Sequence, residues 1–252
     1  MKSVILAGGY GTRMNEETKN KPKPMIKIGE KPILWHIMKT YSVYGIKDFV
    51  ICCGYKGEEI KKYFLDSFDI QNIHKNQNHV EMTVNTESQL WNITLVDTGL
   101  DTMTGGRLKR VEKYVGNDTF HFTYGDTLND VNIENLLKFH KKNKSVCTVT
   151  ACRPQEKYGV LIIENNRIIE FKEKPVSKNW VNGGYFVLEP SVFDLIHNDK
   201  TIWEKQPLET LVRKNQFYAF KHNGFYQPMD TISEKNRLND LWKLNEAPWK
   251  VW

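Results

Sequence analysis

The 252-residue chain contains no apolar stretch approaching the roughly 20 residues that a membrane span needs, so a helical membrane protein is excluded and no membrane partner is expected. The apolar run that follows Met1 stops at Gly8 after about five residues, shorter than the apolar core of a signal peptide, and a cytoplasmic location is the expected default. The four cysteines, Cys52, Cys53, Cys147 and Cys152, form no C-x-x-C pair. They sit in apolar, strand-like runs, which predicts core thiols in a reducing compartment and argues against a zinc or redox centre. No repeat and no low-complexity segment is present. The net charge of +6 comes from 36 basic and 30 acidic side chains spread along the chain, without a basic tail or stripe. Such a balance suits an anionic small substrate as well as nucleic acid, but no recognisable basic motif accompanies it, and no nucleic-acid partner is expected. With 40% hydrophobic and 26% charged residues, disordered and collagen-like classes are also excluded.

What is present is an alternation of short apolar runs with amphipathic ones. "SVILA" reads as a buried strand, and "ILWHIMKTYSVYG" places Ile33, Ile37, Tyr41 and Tyr44 on one helical face. The strand "DFVICCG", the helix "EEIKKYFLDSF", the strand "NITLVDTG", the helix "GGRLKRVEKYV" and the strand "TFHFTYGD" follow. This order predicts an α/β fold with a mainly parallel sheet covered by helices. A helix over residues 133–143, marked by Ile133, Leu136, Leu137 and His140, ends that pattern. "SVCTVTACR", "YGVLIIE", "RIIEFKE" and "GGYFVLE" are then strands in quick succession, which predicts antiparallel additions in the second half. Asn165 and Asn166 suit a tight hairpin turn between the middle two. Helices over residues 207–215 and 233–245 close the chain. His36 and His140 lie in helical patterns and read as packed groups. Trp249 and Trp252 read as anchors of the tail, against its own domain or a neighbouring subunit.

"LAGGYGTRM", immediately after the first strand, is the most informative stretch. A Walker loop needs Lys followed by Ser or Thr after its last glycine, and here Thr12-Arg13 follows instead. A dinucleotide fingerprint matches Gly9 and Gly11, but Met14 stands where the third glycine belongs. Pro22 and Pro24 are expected to keep the chain out of a helix until after Pro32. The expectation is therefore a long loop that brings bare amides, Arg13 and Lys23 to the carboxyl end of the first strand, where open α/β sheets bind ligands. Glycines allow close approach of the backbone to a triphosphate, and the two cations balance its charge.

"ILAGGYGTRM" followed by "KPKPM" resembles the signature of the sugar-phosphate nucleotidyltransferases. "KPILWHIMK", "CCGYKG", "LVDTG", "MTGGRLKRV", "YGD", "EKP", "NGGYFVL", "QPMDT" and "APWK" are similar to a narrower branch, which uses CTP. The resemblance runs from Met1 to about Lys250. It implies the Rossmann-like nucleotidyltransferase fold in one domain over residues 1–252, with a nucleotide-binding half (1–145) and an acceptor-binding half (146–252). The implied reaction joins CMP from CTP to a phosphorylated acceptor and releases pyrophosphate, with glucose 1-phosphate giving CDP-glucose as the leading case.

In such a transfer an acceptor phosphate oxygen attacks the α-phosphorus in line. Two polyanions must meet, and each like-charge pair at 4 Å costs about 4 kcal/mol at an effective dielectric near 20. Cations and positioning therefore carry the catalysis. Arg13 is assigned to the leaving phosphates and Lys23 to the α-phosphate region. Leu6, Ala7 and Gly8 are expected against the base, with Gly9, Tyr10, Gly11, Thr12 and Gly125 completing the nucleotide pocket. The resemblance adds Thr102 and Arg107 as nucleotide contacts, although Arg107 also reads as an exposed residue in the first turn of a helix. Asp126, at the end of "FHFTYGD", is the better carboxylate for Mg2+. Asp230 reads either as a helix cap or as a second ligand, because Thr231 and Glu234 already form a capping box. Members of the family bind metal at both matching positions. Lys174 corresponds to the lysine that holds the acceptor phosphate, with Glu173, Asn182 and Gly183 facing sugar hydroxyls. Family members also assemble as homo-oligomers.

Two departures stand out. Thr127 replaces the glycine that usually follows the metal aspartate, and "PQEKYG" replaces "PPGRFG", so that Lys157 stands for an arginine and lacks its bidentate fork. Both are expected on the acceptor side. They leave open another phosphorylated acceptor of surface polysaccharide or capsule assembly, including a phosphoramidate or an acyl phosphate such as phosphoglutamine. A non-catalytic nucleotide-binding module is the remaining alternative.

Overall fold

In the computed structural model, which describes residues 1–86 and 89–252, one mixed sheet runs through both halves of the chain. Its nine strands are β1 (Lys2–Leu6), β2 (Asp48–Cys53), β3 (Asp69–Lys75), β4 (His79–Asn85), β5 (Leu90–Asp97), β6 (Phe120–Tyr124), β7 (Cys147–Cys152), β8 (Val181–Leu188) and β9 (Phe217–His222). The order across the sheet is β9-β7-β8-β6-β1-β2-β5-β4-β3. The centre, β6-β1-β2-β5, is parallel. The expected antiparallel additions enter through β8, which opposes both β6 and β7.

Alternation along the strands divides the core between the two faces. Ile5 and Ile51 point toward helices Ile33–Val43, Ile133–Asn143 and Ile232–Lys243, while Val4, Leu6 and Val50 point toward Thr104–Arg110 and Gln206–Arg213. Ile33, Ile37 and Tyr41 are fully buried, as their shared helical face predicts. All four cysteines are buried and unpaired. Burial pushes the Cys53 thiol up to about 12, with nearby Asp97 and Glu58 adding to the shift.

His36 and His140 are buried. His36 Nε2 lies 2.9 Å from the Ile28 carbonyl, and Trp249 Nε1 donates to His36 Nδ1 at 3.3 Å. Those contacts define one neutral tautomer, and burial lowers the His36 pKa to about 4. Trp249 is fully buried, and Trp252 packs edge-on against Trp35. Both tail tryptophans thus anchor to their own chain.

Three local features differ from the sequence reading. The stretch from Gly11 to Pro32 is not free of helix: single turns occupy Thr12–Met14, Asn15–Thr18 and Lys23–Met25. Proline is tolerated in a first turn, where its missing N–H has no intrahelical partner in any case. "GGRLKRVEKYV" divides at Val111, whose N–H reaches back to Leu108, into Thr104–Arg110 and Glu112–Val115. β3 and β4 form an antiparallel hairpin on the sheet edge beyond β5 that the alternation of element types did not announce. Its signal is the period-two pattern of buried Val80, Met82 and Val84. The hairpin Val160–Glu164 and Arg167–Lys172 forms as expected, with Asn165 and Asn166 at φ 47° and 64° in its turn.

Candidate active site

Parallel pairing brings the ends of β1, β2 and β6 to one edge of the sheet. Leu6 is in register with Cys52 on one side and Tyr124 on the other. The loops that leave these strands are then stitched together. Ala7 N donates to Cys52 O at 3.0 Å, Tyr55 N to Gly8 O at 3.1 Å, and Gly125 N to Leu6 O at 2.9 Å. A cavity of about 540 Å³ opens above this edge. Every residue that the sequence reading assigned to the nucleotide lines it: Leu6 to Arg13, Lys23, Thr102, Arg107 and Gly125, together with Asp126.

Arg107 overturns one alternative. It is 5% exposed rather than a solvated residue of a first helical turn. Nη1 donates to Thr98 Oγ1 at 2.9 Å and to the Gly99 carbonyl at 2.7 Å, and Nη2 donates to the Leu100 carbonyl at 3.0 Å. The guanidinium lies against Gly8 and Gly54, where a Cβ would collide with it. It therefore fixes the wall built from residues 98–100 against the glycine loop. Thr102, also buried, stands beside Gly99. Tyr10 donates to Asp101 Oδ1 at 2.6 Å across the cavity mouth.

The charged floor is a connected set. Lys23 Nζ donates to Asp126 Oδ2 at 2.6 Å and to Asp230 Oδ1 at 2.7 Å. Arg13 Nη1 donates to Asp230 Oδ2 at 2.7 Å. Lys23 is almost fully buried, whereas the Arg13 side chain is exposed. Burial alone would lower the Lys23 pKa, but the two carboxylates outweigh it and hold the ammonium above its ordinary value. Burial would raise Asp230, but Lys23 and Arg13 hold its carboxyl below the usual range.

Asp230 does not cap the helix that follows. Thr231 Oγ1 accepts from Glu234 N, and the Glu234 carboxylate accepts from Thr231 N and Asp230 N. The Asp230 side chain is thereby left to face Lys23. Thr127, expected on the acceptor side, stands beside Gly184 of the strand that carries Asn182, and its hydroxyl donates to Asp126 Oδ1 at 3.2 Å. It belongs to the charged floor because it directly follows Asp126 and pairs with Pro228 in a short β-ladder.

The two carboxylates converge on a single cation, and among the described residues no cluster of three His, Cys, Asp or Glu side chains could enclose a metal. One or two carboxylates completed by water and substrate oxygens is the donor set that suits Mg2+. The residues present therefore fit such an ion.

The acceptor assignments are more scattered. Glu173 and Lys174 are exposed beside the hairpin, outside the cavity lining. Lys174 has a φ of 43°, and its Nζ lies 3.7 Å from Glu173 Oε1. Gly183 packs against Cys152 and Thr150, leaving no room for a side chain. Asn182 is tied to the cavity: its Nδ2 donates to the Tyr124 hydroxyl at 3.2 Å, and that hydroxyl donates to Glu204 Oε1 at 2.6 Å.

Residues to which the sequence reading gave no role in the site complete the wall. Pro24, Leu100, Asp101, Met103, Thr104, Tyr124 and Lys200 also line the cavity. Residues 199–204 dock on the start of helix Thr104–Arg110, with Met103 N donating to Asp199 O, Gly105 N to Thr201 O, and Thr104 Oγ1 to Glu204 Oε2. No local pattern links these segments. Arg110 pairs with Asp199 across 89 residues of sequence.

The family model for nucleotidyl transferase matches residues 2–233. The chain belongs to the nucleotidyl transferase family. It is 53% identical over 258 residues to the glucose-1-phosphate cytidylyltransferase of Salmonella typhi, covering 100% of both chains. It is 32% identical over 248 residues to the mannose-1-phosphate guanyltransferase of Yarrowia lipolytica, covering 92% of this chain and 62% of that one. Among solved structures, HddC from Yersinia pseudotuberculosis superposes with a TM-score of 0.71 at 20% identity, covering 96% and 99% of the two chains. The fold is the Rossmann-like nucleotidyltransferase fold that the resemblance implied, and the chain is a nucleotidyltransferase.

Proposed function

We propose that the protein joins CTP and glucose 1-phosphate to give CDP-glucose and pyrophosphate. The observation that carries this reading is the 53% identity with a glucose-1-phosphate cytidylyltransferase over the whole of both chains. The cavity geometry supports it. The glycine loop and the Arg107-braced wall line one cavity with the apolar Leu6 and Ala7, where a base would rest, and with Lys23 and Arg13, where phosphates would lie.

In this reading an oxygen of the ionised sugar phosphate attacks the α-phosphorus. A new P–O bond forms, the bond to the β-phosphate oxygen breaks, and pyrophosphate departs with the electron pair. No general base is required. Lys23 offsets charge at the α-phosphate, and Arg13, on its exposed and movable stem, follows the leaving phosphates. Asp126 and Asp230 would hold Mg2+, which supplies further neutralisation of the phosphate oxygens when bound. Asn182 is the acceptor-side residue with a direct link to the cavity, through Tyr124. Glu173 and Lys174 serve the acceptor if their hairpin closes over it. The buried, unpaired thiols support a reducing cytoplasm, and the apolar side chains exposed on that hairpin, Ile163, Ile168 and Phe171, support a homo-oligomer.

Pyrophosphate release measured over CTP, UTP, dTTP and GTP against a panel of phosphorylated acceptors tests the reading. CTP with glucose 1-phosphate is expected to be the best pair. Turnover with UTP or dTTP but not CTP would remove the base assignment. Turnover of CTP with a non-sugar phosphate alone would keep the transfer and replace the acceptor. CTP binding without release from any acceptor would leave a nucleotide-binding module.

A further inference from the structure

Every carboxylate oxygen of the charged floor already has a donor. Asp126 Oδ1 accepts from Thr127 and Oδ2 from Lys23, while Asp230 Oδ1 accepts from Lys23 and Oδ2 from Arg13. Two cations face two anions, so the floor is neutral before any ligand arrives. The ammonium of Lys23 stands at the point where the two carboxylates meet, which is where an ion held by both of them would have to lie. Arg13 is free to swing away, with 72% of its side chain exposed. Lys23 is not, because its side chain is 9% exposed and is enclosed beside Gly11 and Thr18.

We propose that Lys23 is an internal counter-ion that holds Asp126 and Asp230 closed to a divalent cation until a nucleotide phosphate draws its ammonium away. The inference rests on the proposed function, since it takes the nucleotide's α-phosphate as the competing anion. A divalent ion entering the bare site would meet an ammonium at contact distance in a partly dry pocket, where like charges repel strongly. A phosphate placed by the glycine loop gives Lys23 a second anion of equal or greater charge. The lysine can then leave the carboxylates without becoming an unpaired buried cation. Metal and nucleotide therefore bind as a coupled pair, and each strengthens the other.

The test reads metal binding rather than turnover. Mn2+, a spectroscopically visible substitute for Mg2+, is titrated into the wild-type protein and into Lys23→Met, which removes the charge and keeps an unbranched stem. CMP serves as the nucleotide probe, because it carries the α-phosphate and chelates Mn2+ weakly in solution. Without CMP, Lys23→Met is expected to bind Mn2+ on the order of tenfold or more tightly than wild type. Saturating CMP is expected to close most of that gap by tightening Mn2+ binding to the wild type. Equal Mn2+ affinity of the two proteins would overturn the proposal. So would CMP that binds the wild type and leaves its Mn2+ affinity unchanged, and this second arm decides the matter alone if Lys23→Met does not fold. Failure of both CMP and CTP to bind the wild type would overturn the functional reading, and the inference with it.

Discussion

The guanidinium of Arg107 occupies the space beside Gly8 that any side chain at that position would need. Gly54 N borders the same space, so a methyl group there has backbone on one side and a buried, fully engaged arginine on the other. Gly8→Ala is expected to destabilise the fold by about 1–3 kcal/mol, the usual cost of overpacking. At Gly9 a Cβ meets nothing within 4 Å, and Gly9→Ala is expected to change stability by less than about 0.5 kcal/mol. Urea unfolding of the two variants without ligand checks the contrast; equal losses would contradict it.

Asp126→Asn and Asp230→Asn are each expected to lower kcat for pyrophosphate release by about 10²–10³-fold, the scale of removing one electrostatic group from a preorganised site. The helix that starts at Ile232 has its own cap in Thr231 and Glu234, so the loss of thermal stability expected of Asp230→Asn comes from its broken pairs with Lys23 and Arg13 and not from the helix start. Near-normal kcat in either variant would remove that carboxylate from the reaction.

Thr127→Val deletes the hydroxyl that donates to Asp126 Oδ1 and keeps the shape of the side chain. A loss of about 1 kcal/mol, a several-fold fall in kcat, is expected from one missing hydrogen bond. Thr127→Ser should restore the rate. A valine variant with unchanged kcat would show that the carboxylate needs no such support.

His36 is neutral in the folded protein because burial lowers its pKa from 6.5 to about 4, although hydrogen bonds to backbone carbonyls oppose the shift. The unfolded chain takes up a proton below about pH 6.5 that the folded chain refuses until about pH 4. Stability is therefore fully present above 6.5 and falls as the pH drops through that window. From pH 7 to pH 5 the loss from this group is about 2 kcal/mol. His121, buried with a pKa lowered to about 3, acts in the same direction. Urea unfolding at the two pH values measures the sum, and stability that is flat or rising toward pH 5 would contradict it.

Local chemistry explains which parts of the molecule could be read in advance. Gly8 to Arg13 lie in one short stretch, and their spacing after a buried strand says where the loop must sit. Asp126 comes two residues after a strand that pairs directly with that first strand, so the same argument places it. Asp230 was separable from a capping role because Thr231 and Glu234 carry their own signal three residues apart. Arg107 was ambiguous because its burial depends on the Thr98 hydroxyl and the Gly99 and Leu100 carbonyls, which come together around it only in the folded loop. Glu204 carried no signal at all, since its place beside Tyr124 and Thr104 comes from contacts between distant segments, and Lys200 reaches the cavity wall on the same segment. Thr127 was legible as a departure from the family pattern, but the bond from its hydroxyl to the preceding carboxylate emerges only in the fold.

The central claim is attack on the α-phosphorus of CTP by the phosphate of glucose 1-phosphate. Incubation with CTP labelled at the α-phosphorus, and separately at the γ-phosphorus, tests it in one pair of reactions. The α-label is expected to appear in CDP-glucose and the γ-label in pyrophosphate. A γ-label found on the sugar, or an α-label released as free CMP with no labelled sugar nucleotide, would contradict the account.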